Sequence, residues 1–260
     1  MKKNIICFIL ALFLTLCLSS CSEEDKGSSP IKNENEPRES VTESETLPHE
    51  TAVTEDSLPA LPNEYASIIN SLINAFPWKV NNDIFTVPAS PELSYMYIRN
   101  TALSQVGFAI YDLDGNGQKE LIISDLGSSV IYDVYTIENG KAVQVLSAGE
   151  RYRFYLFENC LMENQWSGGA AVSGSDFFRL TDGKLVLEER IGLDVYAALN
   201  NGWINDMSEA TDTNCFFRSK TDNEEDYVQI SSDDAVKSIN DYRSQNKPLT
   251  LEYTPLSLYR

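Results

Sequence analysis

From Val106 onward the chain is written in short runs of β-branched and aromatic residues, each closed by a turn signal. This pattern constrains the fold more than any other feature. It predicts strands over 106–112, 119–125, 130–137, 141–147, 152–157, 176–180, 184–191, 214–218 and 226–230. Asn139-Gly140 and Asp182-Gly183 stand between strand pairs. Such dipeptides accept a positive φ at both central positions of a two-residue hairpin, so the strands they join are antiparallel.

Helices are predicted at the two ends of this body. Tyr65, Ile68, Ile69, Leu72, Ile73 and Phe76 recur at helical spacing, with Asn63 as cap and Pro77 as stop. Ser90-Pro91-Glu92 offers a second, weaker helix start. Near the C-terminus, Ser231 or Ser232 opens a helix with Asp233 and Asp234 in its first turn and Val236, Ile239 and Tyr242 on its apolar face. A last strand is expected after Pro248. The reading is a single α+β domain over 61–260, mainly antiparallel sheet, hairpin- or propeller-blade-like, with an N-terminal and a C-terminal helix.

One internal echo supports the hairpins. YTIENGKAV, from Tyr135 to Val143, matches FRLTDGKLV, from Phe178 to Val186, at an offset of 43 residues. That period suits a four-stranded blade, and two copies are too few to close a propeller. Two unrelated hairpins needing the same turn give the same match. Both readings require antiparallel sheet.

The charge balance narrows the chemistry. Lys and Arg number 20 against 39 Asp and Glu, a net charge of −19. Nucleic acid is excluded as a partner, because a polyanion is bound through a cationic surface. The single His is His49, outside the predicted body. The body therefore lacks the imidazole that Ser-His-Asp and Cys-His triads and His-ligated zinc require.

The first residues read as an address. Lys2 and Lys3 precede an apolar stretch, 5–18, of the length a signal peptide uses and short for a membrane span. Leu18-Ser19-Ser20-Cys21 resembles the lipobox of bacterial lipoproteins. The resemblance implies that 1–20 is a lipoprotein signal peptide. Cys21 would then carry the lipid and tether the chain to the cell membrane on its extracytoplasmic side. Two acyl chains anchor stably where one is marginal. Residues 22–60 hold 11 acidic and 3 basic residues, one Ile and no aromatic residue. Such a segment buries too little apolar surface to offset its ordering entropy, so 21–60 is expected to be a disordered acidic tether. Cys160 and Cys215 are left in the body, where pairing and two isolated thiols both remain open.

Residues 106–124, VGFAIYDLDGNGQKELIIS, carry the clearest chemistry. Asp112, Asp114 and Asn116 stand at positions one, three and five of a loop, Gly117 at six and Glu120 at nine. Side chains at alternate positions of a curling chain converge on one ion, and a glycine permits the sharp turn. Gln118, at seven, offers a backbone carbonyl. Hard oxygen donors in such numbers select Ca2+. An EF-hand also needs a Glu at position twelve, where Ile123 stands, and its flanks are helices. Here the flanks FAIY and ELII are β runs. The segment resembles instead the DxDxDGxx[DE] loop of FG-GAP and VCBS-type repeats of cell-surface proteins, and a recurrent group of lipoproteins from gut Firmicutes. The resemblance implies a calcium site with Asp112, Asp114, Asn116 and Glu120 as side-chain ligands and Gln118 as carbonyl ligand. It implies no reaction. Water or a distant acid, Asp125 or Asp133, is expected to complete the shell. Asp-Gly and Asn-Gly also form hairpin turns without any ion.

Two further features bear on function. Trp166 lies in NQWSGGAAVSGS, a small, polar, glycine-rich stretch. An aromatic side chain on such a loop stacks on sugars, and one covering the end of a sheet is mostly buried. Trp78 reads as core. Glu188-Glu189 and the run 222–226 supply carboxylates, but alternation along a strand sends Glu188 and Glu189 to opposite faces. The reading is therefore a membrane-anchored lipoprotein with a calcium-stabilised, non-catalytic domain that binds a protein or glycan partner. The alternative is a carboxylate-dependent glycan hydrolase at the cell envelope, built on two carboxyls about 5–10 Å apart.

Replacing Cys21 with Ser is expected to abolish incorporation of labelled palmitate in the native host and to leave the chain uncut or released. Absence of label in the wild-type protein would remove the anchor.

Overall fold

The computed structural model describes residues 61–75, Leu93, 102–128 and 130–259. Cys21, the acidic tether, Phe76, Pro77, Trp78 and the Ser90-Pro91-Glu92 start lie outside the described residues. The strands are β1 (Val106–Tyr111), β2 (Glu120–Asp125), β3 (Ile131–Glu138), β4 (Lys141–Ser147), β5 (Tyr152–Leu156) and β6 (Leu161–Gly169). They continue as β7 (Val172–Thr181), β8 (Lys184–Asp194), β9 (Phe216–Ser219), β10 (Val228–Ile230) and β11 (Thr254–Pro255). Helices are α1 (Asn63–Asn74), α2 (Val195–Asn200) and α3 (Ser232–Gln245). All 11 strands join one antiparallel sheet in the order β10-β9-β8-β7-β6-β5-β3-β2-β1-β11, with β4 paired to β3 beside this path. The fold is α+β with mainly antiparallel sheet.

Both sequence-predicted hairpins form. Asn139 and Gly140 have φ of 51° and 71°, Asp182 and Gly183 of 48° and 72°. These are type I′ turns, closed by Glu138↔Lys141 and Thr181↔Lys184. The echo extends past the turns. A β-bulge falls between Val134 and Tyr135 in one hairpin and between Phe177 and Phe178 in the other, at the same offset as the turns. Two four-stranded meanders, β1 to β4 and β5 to β8, therefore repeat. They do not stand as separate blades, because Ile131 of β3 pairs with Phe154 of β5 and the two run on as one sheet.

Alternation along β2 divides the core. Leu121 and Ile123 join a cluster with Phe108, Tyr135 and the buried face of α1: Tyr65, Ile68, Ile69, Leu72 and Ile73. Ile122 points the other way, into a cluster with Val134, Leu146, Phe154 and Met162 that Leu249, Leu251 and Tyr253 cover. On the second meander α3 lies against the sheet. Tyr242 stacks on Phe177 at 4.0 Å between ring centroids, and Arg243 donates to Glu163, which is 1 % exposed.

Several elements differ from expectation. The glycine-rich stretch 164–175 carries no predicted strand, yet β6 and the start of β7 run through it. The glycines serve the tryptophan. A Cβ on Gly174 would meet Trp166 Cζ2 at 2.8 Å, and one on Gly192 at 3.1 Å, so the indole lies across β7 and reaches β8. Asn63 opens α1 without capping it; Pro62 is the N-cap residue and no side chain caps the helix. Ser231 does cap α3, accepting from Asp234 N at 3.1 Å. Asp194 caps the short α2, accepting from Tyr196 N and Ala197 N at 2.9 Å each. After Pro248 only Thr254 and Pro255 are strand, at the sheet edge, where the missing N–H of Pro255 is tolerated. Cys160 and Cys215 are both free thiols.

Arg243→Ala is expected to destabilise the fold by about 3 kcal/mol, because it strands the Glu163 carboxylate inside the protein. Denaturant titration measures the loss.

Candidate metal centre

The β1–β2 hairpin is closed by Tyr111↔Glu120, which leaves 112–119 as a loop. Its curl is set by two glycines, Gly115 at φ 73° and Gly117 at φ 89°, and by side chains that cap their own backbone. Asp112 accepts from Gly115 N at 2.8 Å and from Gly117 N at 3.0 Å. Asp114 accepts from Asn116 N at 3.2 Å and Asn116 Nδ2 at 3.1 Å, and Asn116 Oδ1 from Gln118 N at 2.7 Å. The result brings Asp112, Asp114 and Glu120 together, each offering a carboxylate oxygen within 4.8 Å of the others.

Glu120 differs from the other two acids. It is fully buried, while Asp112 and Asp114 are half-buried. Its Oε2 accepts from Leu113 N at 2.8 Å and its Oε1 from the Thr136 hydroxyl at 3.2 Å. Burial, joined by the charges of Asp114 and Asp112, pushes its carboxyl from 4.5 up to about 7 against those two hydrogen bonds. Elsewhere the buried acids Glu163, Asp176 and Glu189 meet Arg243, Arg190 and Arg218. Among the described residues no such ion pair reaches Asp112, Asp114 or Glu120. The like charges repel at this separation, and the cluster can hold a metal ion.

The other expected ligands are in the same loop. Asn116 is exposed, and Gln118 turns its side chain to Thr136, donating from Nε2 to Oγ1 at 2.7 Å. Neither distant acid joins the cluster. Asp125 sits at the far end of β2, accepting from Gly127 N at 2.6 Å, Ser128 N at 2.8 Å and Tyr132 OH at 2.8 Å. Asp133 faces Ile123 across the strands and accepts from Gln144 Nε2 at 2.8 Å. Ile123, at EF-hand position twelve, is fully buried core.

Residues that sequence reasoning missed complete the surroundings. Tyr65 of α1 donates to Lys119 O at 2.8 Å and Tyr135 O at 3.2 Å, pinning the exit of the loop. Thr136 of β3 links Gln118 to Glu120. Gly183 N, at the tip of the β7–β8 hairpin, donates to Asp114 Oδ2 at 3.0 Å. Only the Thr136 position carried a signal: it lies on a predicted strand beside the loop.

Trp166 sits on strand β6, half-buried, and not on a loop. Its Nε1 donates to Asp176 Oδ1 at 2.7 Å, and the Arg190 guanidinium lies 5.9 Å from the ring centroid. Tyr152, its direct cross-strand neighbour, is 54 % exposed. Glu188 occupies the bulge opposite Phe177 and Phe178, so the strict alternation expected of Glu188 and Glu189 is broken there. Glu188 pairs with Arg179 at 2.6 Å and Glu189 with Arg218. Comparison with protein-family models, curated proteins and solved structures finds no match for this chain.

The raised Glu120 carboxyl gives a signed pH dependence. Folded, it keeps its proton up to about 7; unfolded, it releases it near 4.5. Its contribution to stability is therefore complete below 4.5 and is lost as pH rises to about 7. In chelator, the melting temperature is expected to fall by roughly 3 °C per pH unit across that window. Glu120→Gln should flatten the slope, and an unchanged slope would assign it to other groups.

Proposed function

We propose that this protein is a surface lipoprotein, held to the cell membrane through Cys21, whose domain binds Ca2+ in the 112–120 loop and serves as a non-catalytic binding module. The observation that carries the reading is the buried Glu120 beside Asp112 and Asp114, with no cationic side chain among the described residues paired to any of the three. An oxygen-only donor set and a curled loop that puts its side chains to alternate sides suit a hard cation of variable coordination. Mg2+ fits less well, since it keeps its waters and takes few protein ligands. The ion would act structurally, neutralising the cluster and fixing the hairpin. A protein or glycan partner remains the second half of the reading. Trp166 with its exposed neighbour Tyr152 is the surface proposed to meet it.

The packing speaks against the hydrolase. Glu163 and Glu189 lie on either side of Phe177 across three strands. Tyr242 stacks on Phe177 between them, and each acid is engaged by an arginine. A sugar and an attacking water need that space and one protonated acid.

Calorimetric titration of the body with calcium is expected to show binding and a rise in melting temperature, both removed by Asp112→Ala with Asp114→Ala. At about 1 mM calcium, a Kd of about 10 μM corresponds to roughly 2.7 kcal/mol of stabilisation, and one of about 1 mM to roughly 0.4 kcal/mol. Because no Glu stands at position twelve, the titration should extend to about 10 mM. No heat and no thermal shift there would leave the loop as an acidic turn.

A further inference from the structure

The two meanders differ in one respect that bears on the loop. Their hairpin tips share turn type, dipeptide chemistry and backbone angles, yet only one tip touches the acidic cluster. At Gly140, φ 71°, a Cβ would meet nothing within 4 Å. At Gly183, φ 72°, a Cβ would stand 3.1 Å from Thr136 Cγ2 and 3.3 Å from Thr136 Oγ1. The same residue donates its amide to Asp114 Oδ2 at 3.0 Å, across 69 positions of sequence. Thr136 in turn donates to Glu120 and accepts from Gln118. The tip of the second meander thus contacts the loop of the first both through an acidic ligand candidate and through the residue that positions another.

We propose that the β7–β8 tip is the outer shell of the cation site, with Gly183 as a positioning residue, so that a bound cation braces the two meanders against each other. The inference rests on the metal reading above and adds to it the element that orients Asp114. Asn116 N and Nδ2 hold the Asp114 carboxylate from within the loop, and the Gly183 amide engages Oδ2 from outside it, completing the donors that orient its oxygens toward the cluster. A side chain at position 183 pushes Thr136, and with it the hydroxyl held against Glu120 Oε1. When a cation draws Asp112, Asp114 and Glu120 together, the tip is drawn with them, and β7 and β8 are tied to β1 and β2 in addition to the Ile131↔Phe154 pairing and the core cluster that the two halves share.

The duplication supplies the control. Gly183→Ala and Gly140→Ala place the same methyl at nearly the same positive φ, so they carry similar backbone strain. Calcium titration of the full body is expected to show Kd raised about ten-fold or more in Gly183→Ala, because the methyl meets Thr136 and displaces the tip whose amide, still present in alanine, holds Asp114. Gly140→Ala should keep the wild-type Kd to within about two-fold, although both variants melt lower. On the wild-type protein, hydrogen exchange at the Gly183 amide should slow about ten-fold on adding calcium, with no change in the 139–140 turn. Equal Kd in the two variants, or exchange at Gly183 indifferent to calcium, would overturn the brace while leaving the metal site intact. No calcium binding by the wild-type protein would overturn both.

Discussion

Glu120 holds a carboxylate at full burial within 4.8 Å of two other acids. The structure around it is arranged to tolerate that charge. Leu113 N and the Thr136 hydroxyl each donate to it, and Tyr65 pins the backbone one residue before it. The loop and β3 thus meet at the Glu120 side chain, and α1 holds the backbone beside it. Hydrogen bonds alone leave the carboxyl raised to about 7, because they do not offset the loss of water on burial, to which the fields of Asp114 and Asp112 add. With its three acids so placed, the cluster can hold a metal ion.

The second meander handles buried acid in another way. Glu163, Asp176 and Glu189 are each met by an arginine from a different element: α3, β8 and β9. These pairs bring desolvation costs that good geometry offsets, and removing one partner is more damaging than never having had the pair. They also tie α3, β8 and β9 to their neighbours in the sheet at defined positions. One half of the domain is thus balanced by internal guanidinium groups, and the other half presents an oxygen cluster without one. The repeat is shared in backbone, in turns and bulges, while the charge chemistry has diverged.

Trp166 shows the same interplay of backbone and side chain. A tryptophan lying across two strands needs positions beneath it without Cβ atoms, and Gly174 and Gly192 supply them. Its N–H then reaches Asp176, which Arg190 also holds. Gly174, which read as part of a glycine-rich stretch in the sequence, is a strand residue here: a Cβ there would meet both the Ile191 carbonyl of β8, at 2.4 Å, and the indole, at 2.8 Å.

What the sequence by itself determined is local. Period-two runs, Asn-Gly and Asp-Gly turns and the helical spacing of Tyr65 to Ile73 specify the antiparallel strands, both I′ hairpins and α1, since each depends on neighbours along the chain. The acidic loop was legible for the same reason: Asp112, Asp114 and Glu120 converge through the curl of one short segment. Tertiary structure decided everything that joins distant residues. Asp125 and Asp133 were within reach by numbering, yet strand direction carries the first to the opposite end of β2 and pairing turns the second to Gln144. Tyr65, Thr136 and Gly183 reach the loop only because sheet register and hairpin docking bring them there. Periodicity fixes which face a residue occupies, and only packing fixes what stands opposite it.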